Sequence, residues 1–308
     1  EADNLILRNA VTNLGVTIII SSKIEHHAVL HTLEQLQKEF GIAVKYVDVN
    51  EKGEVNYAHL EQLLQEEPDE KKLVSLMYVN NEIGTILNLE KVSEICVSNN
   101  ALFHSDTVQG IGHFNLDIKK TPLDFFVASA HKFHGPKGVG FAYIKRGFGI
   151  HPILYGGEQE RGSRAGTENV HSILGMEKAL EIACKNMQEE SAYIQLLKNY
   201  FINELKQNFT GIEFNGNSES NLESSYIILN VRFPKEYAML LFNLDLKGIA
   251  VSGGSACQSG SNKGSHVLHA ILSENETAKT SVRFSFSKFN TMEEIKEVIK
   301  ELKTIIND

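Results

Sequence analysis

Short apolar runs alternate with amphipathic stretches along this chain, and that alternation leaves few folds open. Residues 17–20, 43–49, 73–79, 101–104 and 141–144 read as strands, while 27–40, 57–65 and 89–97 carry helical spacing. Gly41 ends the first of these helices, residues 50–53 make a turn, and Pro68 closes the next segment. Strands separated by helical crossovers pair in parallel, so the pattern predicts an α/β fold with a mostly parallel sheet. A long helix is expected over 169–209. Beyond it, strands at 225–233 and 281–286 and helices at 237–244, 266–272 and 292–306 predict a smaller α+β lobe. With the boundary near Met187, the expectation is a large domain over 1–187 and a small one over 188–308.

Composition narrows the function classes. The chain has 308 residues, enough for one large core with a second lobe, and its 42% hydrophobic and 22% charged shares fit a folded soluble protein. A formal net charge of −9 disfavours nucleic acid and anionic membrane surfaces as partners. No apolar run approaches a bilayer span, and the opening Glu1-Ala2-Asp3-Asn4 has no signal-peptide pattern, so a cytoplasmic location is expected. Three widely spaced cysteines do not make a disulfide framework. Cys96 and Cys184 are expected to be small packed residues.

In open α/β sheets, ligands gather where strands run out. The apolar run from Phe125 ends in Ser129, Ala130, His131 and Lys132, followed by Gly-Pro-Lys-Gly at 135–138. A loop lysine is ordinarily solvated. One that leaves a buried strand can instead be desolvated into a nucleophile or Schiff-base former, with Ser129 and His131 beside it to hold a phosphate. A pyridine cofactor on Lys132 needs a carboxylate at its ring nitrogen, and Asp106 stands at the preceding strand exit. Gln109 and Asn81 can reach the cofactor's phenolic edge. His26 can stack on the ring or relay protons. His27 and His31 have the four-residue spacing of a helical metal pair, but no closed ligand set accompanies them, and no metal is expected.

These segments together resemble the cysteine desulfurases of the NifS/IscS type, pyridoxal-phosphate enzymes of aminotransferase class V. Ser-Ala-His-Lys-Phe-His-Gly-Pro-Lys-Gly at 129–138 resembles the cofactor-lysine motif, and Glu-His-His-Ala-Val at 25–29 the segment whose first histidine stacks on the ring. Val-Asn-Asn-Glu-Ile-Gly at 79–84 and His-Ser-Asp at 104–106 with Gln109 are similar to the segments that line the cofactor. Arg-Gly-Ser-Arg-Ala-Gly-Thr at 161–167 resembles a segment whose threonine, here Thr167, completes the phosphate site of a neighbouring copy, which implies a homodimer. Ser-Gly-Gly-Ser-Ala-Cys at 252–257 resembles the loop bearing a persulfide cysteine, here Cys257, and Val-Arg-Phe-Ser at 282–285 the segment whose arginine, here Arg283, grips the substrate carboxylate. Departures fall in loops: Glu158 stands where the family often has glycine, Gln258 where threonine is usual, and Asn-Lys-Gly at 262–264 where Leu-Glu-Pro is common.

The resemblance implies a pyridoxal-5'-phosphate-dependent transferase of fold type I, with a mostly parallel large domain and a smaller α+β C-terminal domain. It implies conversion of L-cysteine to L-alanine, with Lys132 taking the α-proton and Cys257 receiving the sulfur. The sulfur would pass to an iron–sulfur scaffold protein or another thiol acceptor, with no membrane or nucleic acid required. The opening Glu1-Ala2-Asp3-Asn4 resembles the middle of the family's Gly-Ala-Thr-Glu segment, so the resemblance implies that the family's amino-terminal arm and its phosphate-binding threonine are missing from this chain. Two other readings stay open at this level: a related enzyme acting on another amino acid, and a binding module without catalysis.

Overall fold

The computed structural model describes residues 1–253 and 264–307. Two compact units divide the chain: Glu1–Asp48, Val55–Tyr78 and Leu87–Met187 form the first, and Val49–Glu54, Val79–Ile86 and Gln188–Asp308 the second.

The first unit carries α1 (Ala2–Thr12), β1 (Ile18–Ser21), α2 (His27–Phe40), β2 (Ala43–Tyr46), α3 (Tyr57–Gln65), β3 (Lys72–Ser75), α4 (Leu89–Ser98), β4 (Leu102–Asp106), β5 (Phe125–Ser129) and β6 (Gly140–Ile144), then the first half of α5 (Val170–Asn208). Its strands form one six-stranded sheet in the order β2-β1-β3-β4-β5-β6. All pairs are parallel except β5 with β6. The exception follows from connection length: residues 130–139, between β5 and β6, hold a single 3₁₀ turn and no crossover helix, too little chain for a parallel return.

Helices cover both faces, so the strands are apolar on both sides. Ile18 and Ile20 of β1 join Val74, Phe103, Phe126 and Ala128 in one core, which Leu60, Leu63, Val92 and Cys96 of α3 and α4 close over. Ile19 points the other way and joins Leu73, Phe125 and Val127 beneath Leu7 of α1 and Leu33 and Leu36 of α2. That two-residue alternation is the pleat itself. Each such fully buried aliphatic side chain contributes about 1.5–3 kcal/mol.

Cys96 is buried in the first of these cores, where loss of solvent raises its thiol pKa. Cys184 corrects the expectation of a packed residue, because it is exposed. Ala179, Leu180 and Ala183 of α5 face the core, and Cys184 lies one residue, about 100° of helix rotation, past that stripe.

The second unit contains the rest of α5 with β7 (Glu213–Phe214), β8 (Ile228–Arg232), α6 (Leu240–Leu246), α7 (His266–Ile271), α8 (Glu274–Thr277), β9 (Ser281–Ser285) and α9 (Met292–Asn307). The strands form an antiparallel sheet ordered β7-β8-β9. Phe201 of α5 packs edge-on against Phe284 and Phe286, with ring centroids 4.9 and 6.0 Å away. Two short pieces from early in the chain are built into this unit. The Thr85 hydroxyl donates to the Lys52 carbonyl at 2.8 Å, and the Asn217 amide donates to Glu54 at 2.7 Å. Among the described residues no helix is long and apolar enough to cross a membrane.

Candidate active site

The carboxyl ends of the central strands of the first unit gather its ionisable side chains. Asp106 is the last residue of β4 and pairs in register with Val127 of β5, two residues before that strand ends at Ser129. The chain then makes a single 3₁₀ turn over Ala130–Phe133, which carries His131 and Lys132. Asp106 and Lys132 therefore sit at adjacent strand exits.

Close packing fixes both exits. A side chain at Gly140 would bring its Cβ to 2.3 Å from the Ala128 carbonyl oxygen, and one at Gly112 would bring it to 2.6 Å from Cβ of Phe133. Only glycine lets the turn after β4, which carries Gln109, lie against the lysine turn. The Thr107 hydroxyl donates to the Val127 carbonyl at 2.6 Å, tying the two exits together. Ser129 and Gln109 are half-buried, Lys132 is half-buried, and His131 is exposed.

Asp106 is buried with one oxygen accepting the Val108 N–H at 3.0 Å. Burial, reinforced by the negative charge of Asp3, pushes its pKa up to about 7, while the Val108 N–H and the Lys132 ammonium pull it down. Glu25, one residue before His26, is more extreme. Burial drives its pKa up to about 8 against the opposing hydrogen bonds of Ser22 and the Met77 backbone, with Asp106 and Asp3 adding like charge. The Ser22 hydroxyl donates to Glu25 at 2.6 Å. Asp3 in turn lies 3.4 Å from Nε2 of buried His104, whose Nδ1 meets the Ser75 hydroxyl at 2.9 Å. Three carboxyl groups from α1, the turn after β1 and the end of β4 thus share one dry region. Burial there raises the pKa of Glu25 and of Asp106 and favours a cation brought beside Asp106.

His26 is the N-cap of α2, and its Nδ1 accepts the Ala28 N–H at 3.1 Å. Its other ring nitrogen therefore carries the proton in the neutral form. The rings of His27 and His31 stack at 4.6 Å. For His131, partial loss of solvent around the ring, then the charges of Lys132 and Lys137, lower the pKa and favour the neutral imidazole. Thr167 is exposed, three residues before α5 begins.

Asn81 and Arg283 belong to the second unit and meet there. Arg283 Nη1 donates to the Asn81 carbonyl at 2.8 Å, and the Arg283 backbone bridges Ser252 in both directions, at 2.7 and 3.2 Å. Cys257 lies outside the described residues. Asp3 and His113 lie beside these candidate residues with no mark in the sequence, while Glu25 and His104 stand there only as members of quoted motifs. Glu25 alone had a local signal, since Ser22 precedes it by three residues and His26 follows it directly.

Comparison with known proteins places the chain. The family model described as "Aminotransferase class-V" matches residues 1–298. A protein of Clostridium botulinum (strain Hall) named "Cysteine desulfurase IscS" is 43% identical over 94% of this chain and 72% of its own length. A solved NifS-like protein superposes with a TM-score of 0.88 at 36% identity, covering 99% of this chain and 80% of that one. A NifS-like protein from Rickettsia africae ESF-5 gives a TM-score of 0.86 at 32% identity over 100% of this chain and 79% of its own.

Proposed function

This chain belongs to the aminotransferase class-V family, and we propose that it is a pyridoxal-5'-phosphate-dependent cysteine desulfurase acting in the cytoplasm as a homodimer. It converts L-cysteine to L-alanine and passes the sulfur through Cys257 to an iron–sulfur scaffold protein or another thiol acceptor. The observation that carries the reading is the pairing of a half-buried lysine, Lys132, with a buried aspartate, Asp106, at adjacent strand exits.

The residues fit the cofactor. Burial raises the pKa of Asp106, and a pyridinium nitrogen beside it would add positive charge that favours its ionised form. Gln109 lies three residues on, in the turn that Gly112 packs against Phe133, where it can donate to a phenolic oxygen. Ser129 and His131 flank the lysine turn as phosphate partners, with Thr167 of a neighbouring copy. His26 has a ring fixed by its Ala28 hydrogen bond and offers a flat face for stacking. When bound, pyridoxal phosphate supplies an aldehyde that takes up amines and a ring that withdraws electrons from the substrate's α-carbon.

The chain's own groups do the rest. Arg283 binds the substrate carboxylate through paired N–H donors, beside Asn81. Lys132 takes the α-proton as an amine and later returns a proton. The Cys257 thiolate attacks the substrate sulfur: the new S–S bond forms as the C–S bond breaks, the bonding pair goes to the β-carbon, and protonation there makes the methyl group of alanine. Persulfide on Cys257 is then discharged to the acceptor.

The test is alanine formation from L-cysteine by the full chain with added pyridoxal phosphate, in wild type and Cys257→Ser. Loss of alanine and persulfide with retained cofactor absorption supports the reading. Undiminished alanine release from Cys257→Ser rejects it in favour of a related lyase.

A further inference from the structure

Asn230 is a fully buried amide in the middle of β8, and no step of the proposed reaction uses it. It stands directly opposite Arg283 in the β8–β9 ladder. Residues opposed in this way put their side chains on one face of the sheet, and here both reach the same short turn. The Asn230 amide donates to the Glu82 carbonyl at 3.0 Å, and Arg283 Nη1 donates to the Asn81 carbonyl at 2.8 Å. Two consecutive carbonyls are thus held by two facing residues of the sheet. The turn is itself closed: Asn80 Oδ1 accepts the N–H groups of both Glu82 and Ile83, at 2.9 and 3.0 Å, and the Gly84 N–H donates back to the Asn80 carbonyl at 3.0 Å.

Which end of the Asn230 amide faces the turn follows from its neighbours. A guanidinium can only donate. Arg232 Nη1 lies 2.5 Å from Asn215 Oδ1, so that oxygen accepts, and the Asn215 amide nitrogen donates to Asn230 Oδ1 at 2.8 Å and to the Ser281 hydroxyl oxygen at 3.0 Å. With its oxygen engaged there, Asn230 presents its nitrogen to the Glu82 carbonyl. A line of buried polar groups starting at Arg232 therefore sets one N–H donor against the turn that carries the Asn81 carbonyl. Every residue in this line lies in the second unit.

We propose that Asn230 is a positioning residue for substrate: by holding the turn over residues 80–84, it sets the Asn81 carbonyl that orients the Arg283 guanidinium toward the carboxylate of an amino acid. The proposal rests on the assignment of Arg283 to the substrate carboxylate, but the tether between Asn230 and the turn stands without it. A guanidinium binds a carboxylate strongly only when its paired N–H groups are correctly aimed. Loosening the turn should therefore weaken amino-acid binding while the turnover of bound substrate is kept.

The test uses the full chain with pyridoxal phosphate in four forms: wild type, Asn230→Ala, Asn230→Asp and Asn215→Asp. Hydrogen exchange is followed at the amides of Glu82 and Ile83, with those of α9 as an internal reference. Loss of one neutral hydrogen bond should speed exchange there about fivefold in Asn230→Ala. Asn230→Asp should exceed this, because a carboxylate oxygen would face the Glu82 carbonyl. Asn215→Asp leaves residue 230 intact and gives Arg232 a carboxylate partner, yet it offers only acceptors to the Asn230 amide, which must turn its nitrogen away from Glu82. Exchange in that variant should rise as in Asn230→Ala. In both, KM for cysteine and the dissociation constant for L-alanine should rise about fivefold while kcat holds. Wild-type exchange in all three variants, or faster exchange with unchanged KM and L-alanine affinity, overturns the proposal, and so does a fall in kcat with KM unchanged. Absence of alanine formation by the wild type would overturn the desulfurase reading instead, and exchange with L-alanine binding would still decide the tether.

Discussion

His113 holds the backbone of Lys132: its Nε2 lies 2.8 Å from the Lys132 carbonyl oxygen. A carbonyl can only accept, so Nε2 carries the proton. The contact comes from the turn after β4 and fixes the lysine turn from the side, through the backbone. Lys132→Ala should abolish the visible absorption band that the protein gains with pyridoxal phosphate. His113→Ala should keep the band and weaken cofactor retention by roughly fivefold, the worth of one neutral hydrogen bond of about 1 kcal/mol. A spectrophotometric titration separates them. A band in Lys132→Ala would remove that lysine from the site, and a colourless His113→Ala would make the histidine more than a support.

What the sequence disclosed and what it withheld divide along local and tertiary lines. The helix over residues 27–40 was legible because its capping residues and its apolar stripe of Val29, Leu33 and Leu36 are contiguous in the chain. The strand exits were legible too, since each is an apolar run that ends in polar residues. α1 was not, because its N-cap Glu1 makes no side-chain cap, and its helix is held by Ile6, Leu7 and Ala10 against the sheet. The apolar run at 73–79 outlasts its strand: β3 stops at Ser75, and Val79 bridges instead to Ile86 in the second unit. The acid cluster of Asp3, Glu25 and Asp106 was invisible, for these residues lie far apart in sequence and meet only after the sheet forms.

That cluster has a pH signature. Glu25 has an ordinary pKa of 4.5 and a folded one of about 8, so between these values the folded chain binds a proton that the unfolded chain has released. Stability must then fall as pH rises through that window, by up to about 1.4 kcal/mol per unit from this residue. Asp106, raised from 3.8 to about 7, acts in the same direction. Glu25→Gln keeps an oxygen for the Ser22 hydroxyl and removes the titration. Urea unfolding of the full chain at pH 5.5 and at pH 7.5 should show a smaller loss of stability in the variant than in wild type. Equal losses would mean that Glu25 is ionised in the fold.

Lys198 should give the opposite slope. It is fully buried in the second half of α5, and its ammonium donates to the Ser225 carbonyl at 2.8 Å. A carbonyl dipole offsets little of the cost of a buried charge. Burial accordingly pushes the lysine's pKa from 10.5 down to about 7. Between those values the unfolded chain holds a proton that the folded chain lacks, so stability rises with pH by up to about 1.4 kcal/mol per unit. Lys198→Met keeps the length and apolar volume, abolishes the titration, and leaves the Ser225 carbonyl without this donor at a cost of about 1–3 kcal/mol. The two stability curves should therefore cross, with the variant favoured near pH 6, where wild type must either keep the buried charge or shed its proton. Wild type should be favoured near pH 10, where its lysine is neutral in the fold and still hydrogen-bonded. Unfolding measured by urea across that range decides it: parallel curves would show that Lys198 keeps its proton in the native chain, supported by groups beyond the Ser225 carbonyl.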